Sequence, residues 1–268
     1  MKKSSQNSKI EVSIVVVNYN TGDFLKKCVE SIVKSTNNLR NPVCEIIIVD
    51  NASNDQSANF KGSFKLIKNA DNPGFSRANN QAIKISQGNY ILLLNPDTEI
   101  KGGTVSKLLQ FAKIHKNAGV VVPKLLNSDG TVQDSVMPLP TLYRAISEFW
   151  FNKKIYSRYV PRVVLPTVIE SAIMAAFLIT PQTLQKVGLL DERYFMYFED
   201  LDYCRRVKKT DLEVYYLPTA LVIHHQGVSG KSVAGEQWRR LIPGSKIYHG
   251  LFGHWLINFV IWMSQKLK

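Results

Sequence analysis

Three short apolar runs along the chain each end in asparagine or aspartate. They are residues 12–17 before Asn18-Tyr19-Asn20, residues 45–49 before Asp50-Asn51, and residues 90–94 before Asn95-Pro96-Asp97. Runs of this length predict buried strands, and the residues between them repeat apolar positions at helical spacing, with Asp23 capping the first helix. Strands separated by helices form parallel βαβ units, so all three polar clusters are expected at one edge of a single sheet.

Further elements follow from the same patterns. They are a strand at 64–67, a helix from Ser76, a helix at 104–115, a strand at 120–122, a hairpin turn at 127–130, a helix near 142–150, a strand at 169–180, a short helix from Pro181 that Gly188 closes, a helix near 199–206, and strands at 214–217 and 220–223. Because 268 residues would divide into two small domains, we expect one α/β domain with a C-terminal helical appendage.

The composition adds a strong positive charge to this picture. With 34 lysines and arginines against 21 acidic residues, the formal net charge is +13. This excess favours an anionic partner such as a phosphate ligand, a membrane surface or nucleic acid. It is spread over both halves of the chain, so no basic arm is predicted. Residues 1–10 are polar, and we expect them to be disordered.

Cysteine spacing and the lengths of the apolar runs indicate the compartment. The three cysteines, Cys28, Cys44 and Cys204, form no CxxC pair, which argues against a disulfide framework and against a zinc site. No apolar run reaches about 18 residues, so we expect no transmembrane helix. The first apolar run, residues 12–17, is short and leads into Asn18 without a small-residue cleavage site, so we expect no signal peptide. These observations predict a protein of the reducing cytosol.

Asp97 is the first candidate for chemistry. Loops at the carboxyl ends of strands line the ligand crevice of an open α/β sheet, so a carboxylate at this position can reach a bound ligand or its metal. The alternative is a turn residue, because an aspartate after Asn-Pro commonly bonds its own backbone. No GxGxxG or GxxxxGK[ST] sequence occurs, which argues against NAD and ATP chemistry.

A candidate anion site follows the fourth predicted strand. Gly74 precedes a helix whose first turn contains Ser76, Arg77 and Asn79. Free backbone amides at a helix N-terminus, together with the charge of Arg77, could bind an anion. A plain loop in which Ser76 caps the helix is an equally good explanation.

Acidic residues gather at another predicted helix N-terminus. There an aromatic run meets Glu199, Asp200 and Asp202. The helix dipole favours negative charge at this end, so the pKa of Asp200 could stay low. The three acids could also be structural, pairing with Arg205 and Arg206 one turn later.

Two stretches suggest contacts outside the sheet. Residues 150–162 interleave basic residues with tyrosines, a pattern that can bind phosphates or lipid headgroups but is more common in solvated loops. Residues 255–263 are apolar with two tryptophans, and the run is too short to span a bilayer. With His254, Asn258 and Gln265 on one side, it predicts an interfacial helix at a membrane, against the alternative of a helix packed on the catalytic domain.

Five segments, taken in order, resemble motifs of glycosyltransferase family 2, in particular its bacterial rhamnosyltransferase-like members. They are Val16-Val17-Asn18-Tyr19-Asn20, residues 49–55, residues 72–80, residues 94–98 and residues 195–206. The resemblance implies a GT-A fold, with a single Rossmann-like, mostly parallel sheet flanked by helices. It assigns 11–125 to a nucleotide-sugar-binding half, 126–230 to an acceptor and catalytic half, and 231–268 to a C-terminal helical segment that could associate with a membrane.

The resemblance also implies roles for individual residues. Asp200, with Glu199 beside it, corresponds to the general base. Asp97 resembles the last acid of the family's metal-binding motif, and His224 and His225 fall where the family often places a further metal ligand. The residues implied in the donor site are Asn18, Tyr19, Asn20, Asp50, Asn51, Asn72, Gly74, Arg77, Asn79, Asn95 and Asp97.

The activity implied by the resemblance is metal-dependent, inverting hexosyl transfer. Mg²⁺ or Mn²⁺ would stabilise the leaving diphosphate, and a base on the opposite face of the sugar would take the acceptor's proton. The favoured donor is dTDP-rhamnose, with a UDP-hexose as the alternative, and the acceptor is a glycan or polyprenyl-linked glycan of bacterial cell-surface polysaccharide synthesis. We therefore expect a cytoplasmic enzyme in peripheral contact with the inner membrane, with no nucleic-acid partner.

Two other functions are compatible with parts of the pattern. A nucleotide-sugar pyrophosphorylase has this type of sheet but needs a glycine-rich, basic loop directly after the first strand. This chain has Asn18-Tyr19-Asn20-Thr21-Gly22 there, with no basic residue. A non-catalytic module that binds polysaccharide or nucleic acid would be expected to lack the acids at 97 and 200, and both are present.

Overall fold

Strands and helices alternate through most of the chain. The computed structural model describes residues 10–36, 44–225 and 234–267, without the side chains of 234–238. The strands are β1 (Val12–Asn18), β2 (Cys44–Asp50), β3 (Lys65–Lys68), β4 (Tyr90–Leu94), β5 (Thr98–Ile100), β6 (Ala118–Leu126), β7 (Val136–Met137), β8 (Thr167–Ile169), β9 (Ser171–Ala172), β10 (Ala176–Ile179) and β11 (Glu213–His224). The helices are α1 (Asp23–Thr36), α2 (Phe75–Ile85), α3 (Thr104–Ile114), α4 (Leu142–Phe151), α5 (Pro181–Lys186), α6 (Glu199–Val207) and α7 (Ala234–Lys266). Of residues 1–10, which were predicted to be disordered, 1–9 lie outside the described residues, as does the boundary predicted at 230.

A mixed nine-stranded sheet organises these elements. Its order is β3-β2-β1-β4-β10-β6-β11-β5, with β8 also paired to β11, while β7 and β9 form a separate pair. The strands β3, β2, β1 and β4 are parallel, so the polar ends of β1, β2 and β4 lie at one edge as predicted. The strand β10 is antiparallel to both β4 and β6.

Buried side chains alternate between the two faces of the sheet. Along β1, Ile14 and Val16 belong to a core with α1 and α3, whereas Val15 and Val17 belong to a core with α2 and α6. Side chains of successive strand residues point to opposite faces, so a run with every position buried requires helices on both sides. The predicted α/β architecture is confirmed.

The strand predicted at 169–180 is wrong as a single element. It divides into β8, β9 and β10, which pair with β11, with β7, and with β4 and β6 respectively. The residues between β9 and β10 line a cavity, where Ile173 donates its backbone N–H to the carbonyl of Ser135 over 2.9 Å. An apolar run can be buried by several different partners in turn, and its sequence does not show where they change.

The two strands predicted at 214–217 and 220–223 are one strand, β11. Its register against β6 shifts between Leu217 and Leu221, so a bulge replaces the expected break. The strand β5, which is too short to stand out in the sequence, pairs antiparallel with the end of β11 and places His224 opposite Thr98. This pairing brings the histidine at the end of β11 next to the turn that contains Asp97.

The C-terminal helix α7 consists of two helical segments that meet at Gly250, where φ is +74°. The first segment packs against α6: a Cβ added to Gly244 would lie 2.7 Å from the carbonyl oxygen of Tyr197. The rings of Phe198 and Tyr248 also meet, with centroids 5.6 Å apart. The second segment packs on α4. No helix in the described part of the chain is long and apolar enough to cross a bilayer.

Candidate active site

A cavity of about 390 Å³ opens at the carboxyl ends of the parallel strands. Nine of the predicted site residues line it, namely Tyr19, Asn51, Asn72, Gly74, Asn95, Asp97, Glu199, Asp200 and His224. The structure does not bring Asn18, Asn20, Asp50, Arg77, Asn79 or His225 to the cavity surface. Tyr19, Asn51, Asn95 and Asp97 reach the cavity because they follow the parallel strands β1, β2 and β4, and side-chain pairing accounts for much of the second group.

The side chains of Asn18 and Asp50 join the carboxyl ends of β1 and β2 next to the cavity. Both are buried, and the Asn18 Nδ2 donates to Asp50 Oδ1 over 2.7 Å and to Ser57 Oγ over 2.9 Å. The side chain of Asn20 faces away, because its Oδ1 accepts the backbone N–H of Asn54. These polar groups hold the ends of β1 and β2 together, and Tyr19 remains at the cavity surface, partly exposed.

The loop before α2 is fitted closely to the acidic segment. Asn72 Oδ1 accepts the backbone N–H of Gly74 at 3.0 Å, and Asn51 Nδ2 donates to the same oxygen at 3.2 Å. Gly74 has φ of +91°, and a Cβ there would lie 2.6 Å from the carbonyl oxygen of Phe195. That oxygen accepts the N–H of Phe75 at 2.7 Å. Glycine is therefore required at position 74 by both backbone conformation and space.

The side chains of Arg77 and Asn79 bond to other residues of the protein outside the cavity. Arg77 Nε lies 3.3 Å from Glu192 Oε2 on the surface, and Asn79 Nδ2 donates to the carbonyl of Phe75 over 2.9 Å. Neither side chain lines the cavity, so the anion site expected from Arg77 is not formed by this residue. The partner Glu192 lies far along the sequence, which is why the pairing could not be inferred from the local pattern.

The side chains of Asp97 and His224 are neighbours in the wall of the cavity. Both are buried, and His224 Nε2 lies 3.4 Å from Asp97 Oδ1. His225 points elsewhere: its Nε2 is 2.8 Å from Glu99 Oε1 and its Nδ1 is 2.8 Å from Ser128 Oγ. The backbone N–H of His225 donates to the carbonyl of Asp97 over 2.9 Å, but of the two rings it is that of His224 that lies beside the Asp97 carboxylate.

The hydrogen bonds of His224 indicate what the pair can bind. Its Nδ1 lies 2.8 Å from Gln133 Oε1, an oxygen that can only accept, so the network assigns the ring proton to Nδ1. The lone pair of Nε2 then faces the Asp97 carboxylate, so both side chains present a possible metal ligand to the same position. No group of three or more His, Cys, Asp or Glu ligands occurs among the described residues. Since Mg²⁺ usually takes one or two carboxylates and completes its shell with water and substrate phosphates, this donor set fits the implied cation.

Glu199 and Asp200 line the same cavity from the start of α6. Both are buried, and desolvation raises the pKa of each, for Glu199 to about 8 with the charge of Asp200 as a second cause. The expectation of a low pKa for Asp200 is therefore wrong, because burial outweighs the helix dipole and the N–H of Leu201. A carboxylate destabilised by burial is a better proton acceptor than a solvated one.

The residues before α6 have a strained backbone. Tyr197 and Phe198 both have φ of +70°, a conformation that costs side-chain-bearing residues about 1–3 kcal/mol each. Gly244 of α7 packs beneath them, so the C-terminal helix helps to hold this conformation. The strained pair sets the direction in which Glu199 and Asp200 enter the cavity.

Asp202 is the structural acid of the cluster. Arg205 Nη2 donates to Asp202 Oδ1 over 2.9 Å, and Arg206 Nε donates to Oδ2 over 2.8 Å. The salt bridges predicted one turn along α6 are thus formed by Asp202, and neither arginine pairs with Glu199 or Asp200. Among the described residues, neither of the two acids of this cluster that line the cavity forms an ion pair.

Several cavity residues were not singled out by sequence as site residues. Among them are Phe195, Met196, Tyr197, Met174, Arg158, Arg240 and Leu241. The aromatic run before Glu199 could have indicated the first three. Arg158 belongs to the basic and aromatic segment, whose pattern did suggest phosphate binding, whereas Arg240 and Leu241 depend on the long-range docking of α7.

Comparison with known proteins adds an independent line of support. A family model described as glycosyl transferase family 2 matches residues 13–178, more than half of the chain. An N-acetylglucosaminyl-diphospho-decaprenol L-rhamnosyltransferase of Mycobacterium tuberculosis is 27% identical, over 81% of this chain and 76% of its own. The hexosyltransferase Agl10 of low-salt glycan biosynthesis in Haloferax volcanii is 25% identical, over 84% of this chain and 71% of its own.

Solved structures resemble the fold. The crystal structure of GalNAc-T7 with UDP, GalNAc and Mn²⁺ superposes with a TM-score of 0.63 at 18% identity, covering 82% of this chain and 44% of that one. The crystal structure of S. aureus TarS 1-349 in complex with UDP-GlcNAc gives a TM-score of 0.58 at 16% identity, covering 89% and 65% respectively. This chain thus spans less than two thirds of either structure, and the likeness concerns the fold.

Proposed function

Because this chain belongs to glycosyl transferase family 2 and has its GT-A fold, we propose that it transfers a sugar, with inversion, from a nucleotide donor to a lipid-linked glycan. The observation that carries the proposal is the arrangement within one cavity, where the side chains of Asp97 and His224 lie 3.4 Å apart and the carboxyl group of Asp200 is buried. A binding module would have no use for a base with a raised pKa.

The residues divide the reaction between them. Asp200 accepts the proton of the acceptor hydroxyl as its oxygen attacks the anomeric carbon, and the bond from that carbon to the nucleoside diphosphate breaks on the other face. Asp97 and His224 would hold the divalent cation, which as a Lewis acid would stabilise the diphosphate as it leaves. Tyr19, Asn51 and Asn72 line the cavity where the nucleoside would lie.

The donor we favour is dTDP-rhamnose. Two relatives are named as rhamnosyltransferases, that of Mycobacterium tuberculosis and WbbL of Escherichia coli, whereas Agl10 is named a hexosyltransferase. A UDP-hexose is therefore the alternative donor. The name of the mycobacterial relative specifies a diphospho-decaprenol acceptor, which supports a lipid-linked acceptor in cell-surface glycan synthesis for this chain.

Nucleotide binding provides the direct test. We expect dTDP, or UDP for the alternative donor, to raise the melting temperature of the protein in the presence of Mn²⁺ and much less in its absence. A ligand at about 100 times its Kd adds about 2.7 kcal/mol of stability, which a thermal melt detects readily. GDP is the matched control nucleotide. If no nucleotide stabilises the protein with or without metal, the donor site and the proposed reaction are both refuted.

Glu199 gives the reaction a predicted upper pH limit. Burial, together with the charge of Asp200 beside it, raises the pKa of Glu199 to about 8. Ionisation of Glu199 adds a negative charge to a cavity that must also hold a diphosphate. We expect kcat/KM for the donor to fall roughly tenfold between pH 7 and pH 9, and to stay level over this range in Glu199→Gln.

A measurement of thermal stability tests whether the fall in kcat/KM comes from the titration of Glu199. A carboxyl group whose pKa is raised by folding loses stability as pH rises from its unfolded pKa, near 4.5, through its folded value, near 8. The melting temperature of Glu199→Gln should therefore exceed that of the wild type by more at pH 9 than at pH 5. An equal difference at both pH values would contradict the assigned titration.

The second segment of α7 supports contact with a membrane. Phe252, Trp255, Phe259 and Trp262 recur at helical spacing and are 51–80% exposed. The opposite side of the same helix faces the protein, with Ile257 buried beside the polar residues His254 and Ser264. A row of exposed aromatic rings suits an interfacial helix, and Lys246, 5.7 Å from the ring of Trp255, adds positive charge. We therefore place the enzyme at the cytoplasmic face of the membrane.

Vesicle binding tests the membrane contact. We expect the wild type to sediment with vesicles that contain phosphatidylglycerol, and the double variant Trp255→Ser, Trp262→Ser to bind roughly tenfold more weakly because it loses two interfacial rings. Ile114→Ser is the matched control, since Ile114 is 66% exposed at the end of α3. Equal binding by all three proteins would show that the exposed aromatic stripe, Phe252, Trp255, Phe259 and Trp262, does not contribute to membrane binding.

A further inference from the structure

Arg158 is held in place by its own loop. On one side, the carboxylate of Glu148 accepts the backbone N–H groups of the two preceding residues at 2.6 and 3.0 Å. On the other side, the backbones of Tyr159 and Val136 exchange two hydrogen bonds, at 2.9 and 3.2 Å. The segment that carries Arg158 is therefore anchored at both flanks rather than being a freely solvated loop, which was the alternative for this basic and aromatic stretch.

Arg158 lines the cavity at its exposed rim and has no acidic partner among the described residues. Its Nε contacts Met137 Sδ at 3.4 Å, and thioether sulfur is only a weak acceptor. Within the described ranges, no carboxylate lies within ion-pair distance of Arg158. The positive charge is nonetheless close enough to favour the ionised form of Asp200, so that it partly opposes the rise in pKa caused by burial. An anchored cation beside the base is available for an anionic ligand.

The chemistry of inversion assigns this cation to the acceptor side. The base and the leaving diphosphate lie on opposite faces of the transferred sugar, so a charge next to Asp200 is directed away from the diphosphate at Asp97 and His224. Arg240 and Leu241 of α7 line the same cavity. Beyond Gly250, α7 continues into the exposed aromatic stripe, so the cavity wall and the proposed lipid contact belong to one helix.

We propose that Arg158 binds a phosphate of the acceptor, which makes this enzyme selective for acceptors that carry their sugar on a lipid diphosphate. The inference rests on the proposed function, because it presumes that Asp200 is the acceptor's base. Arg158 is then a specificity-determining residue: a guanidinium group forms charge-assisted hydrogen bonds with phosphate oxygens, and a neutral glycan offers no such partner.

Direct binding of a phosphate probe tests the assignment without knowledge of the acceptor sugar. Isothermal titration would measure the affinity of decyl diphosphate for the full chain saturated with nucleotide and Mn²⁺. We expect Arg158→Gln to weaken this binding by roughly 10- to 100-fold, as is usual when a charged hydrogen bond is lost. The affinity for the nucleotide itself should stay within about threefold of the wild type. Lys153→Gln and Lys154→Gln are matched controls, because both lysines are exposed on the same segment and do not line the cavity.

Three comparisons decide the outcome. Decyl maltoside, which has the same chain without phosphate, should bind weakly and equally to wild type and Arg158→Gln. Inorganic pyrophosphate separates the two possible sources of the phosphate, and binding as tight as that of decyl diphosphate would indicate a soluble anion and overturn the acceptor assignment. Loss of nucleotide affinity in Arg158→Gln, or competition between the probe and the nucleotide, would place Arg158 in the donor site and also overturn it. Failure of the proposed function would appear separately, as absence of nucleotide binding by the wild type.

Discussion

Replacing Asp200 with asparagine should lower the rate of sugar transfer by at least about 10³-fold. General base catalysis contributes typically 10²–10⁴-fold, and the buried amide cannot take the proton of the acceptor hydroxyl. The fold should be unaffected, since the hydrogen bond that Asp200 Oδ1 accepts from the N–H of Leu201, at 2.8 Å, can be accepted by the asparagine oxygen. The rate is measured in single turnover with saturating nucleotide sugar, so that donor binding does not limit it.

Donor binding and the neighbouring acid provide the controls for this variant. The affinity of Asp200→Asn for nucleotide and Mn²⁺ should remain within about threefold of the wild type, because Asp200 is proposed to act on the acceptor. Glu199→Gln, which changes the adjacent buried carboxyl, should retain transfer at pH 7, where Glu199 is protonated. Transfer by Asp200→Asn at a rate near that of the wild type would show that another group is the base.

Replacing Asp97 with asparagine, or His224 with alanine, should abolish the metal-dependent part of nucleotide binding. Asparagine keeps the shape of the side chain but removes the charge that faces His224 Nε2 at 3.4 Å. Loss of even an indirect partner of a metal site usually costs 10- to 100-fold, so loss of a direct ligand should weaken nucleotide binding in Mn²⁺ by at least about 100-fold. Without metal, both variants should bind nucleotide as weakly as the wild type does.

His225 provides the matched control at the adjacent position. Its side chain contacts Glu99 and Ser128 and does not reach the cavity. His225→Ala should therefore keep metal-dependent nucleotide stabilisation, measured in the same thermal melts. If His225→Ala loses metal-dependent nucleotide stabilisation while His224→Ala keeps it, His225 and not His224 is the metal ligand. Equal loss in both would indicate that the turn after β11, rather than one ring, is what matters.

The parallel half of the molecule was predictable because local rules decide it. An apolar run that ends in asparagine or aspartate, followed by an amphipathic helix, has essentially one arrangement, since βαβ crossovers are right-handed and bring strand ends to the same edge. Asn51, Asn95 and Asp97 could thus be placed together from the sequence alone. The first turn of α6 followed from the resemblance, and its structural acid, Asp202, from helical spacing.

The remainder depends on contacts between distant parts of the chain. The strand β10 enters between β4 and β6 in the opposite direction, which the uniform apolar run at 169–180 does not reveal. Arg77 is taken by Glu192, and Arg158 is presented by Glu148, and neither pairing has a local signature. The pKa of Asp200 was misjudged for the same reason, because the helix dipole is visible in the sequence while the burial that opposes it is not.

The two segments of α7, before and after Gly250, pack against different parts of the protein and are therefore constrained in different ways. The first segment must co-evolve with the catalytic loop, because Gly244 lies against the strained backbone of Tyr197 and a larger side chain would displace it. The segment beyond Gly250 packs on α4 instead. Chimeras between relatives should therefore tolerate a junction at Gly250 when α4 is exchanged with the segment that packs on it, whereas a junction upstream of Gly244 would import a mismatched support for the base.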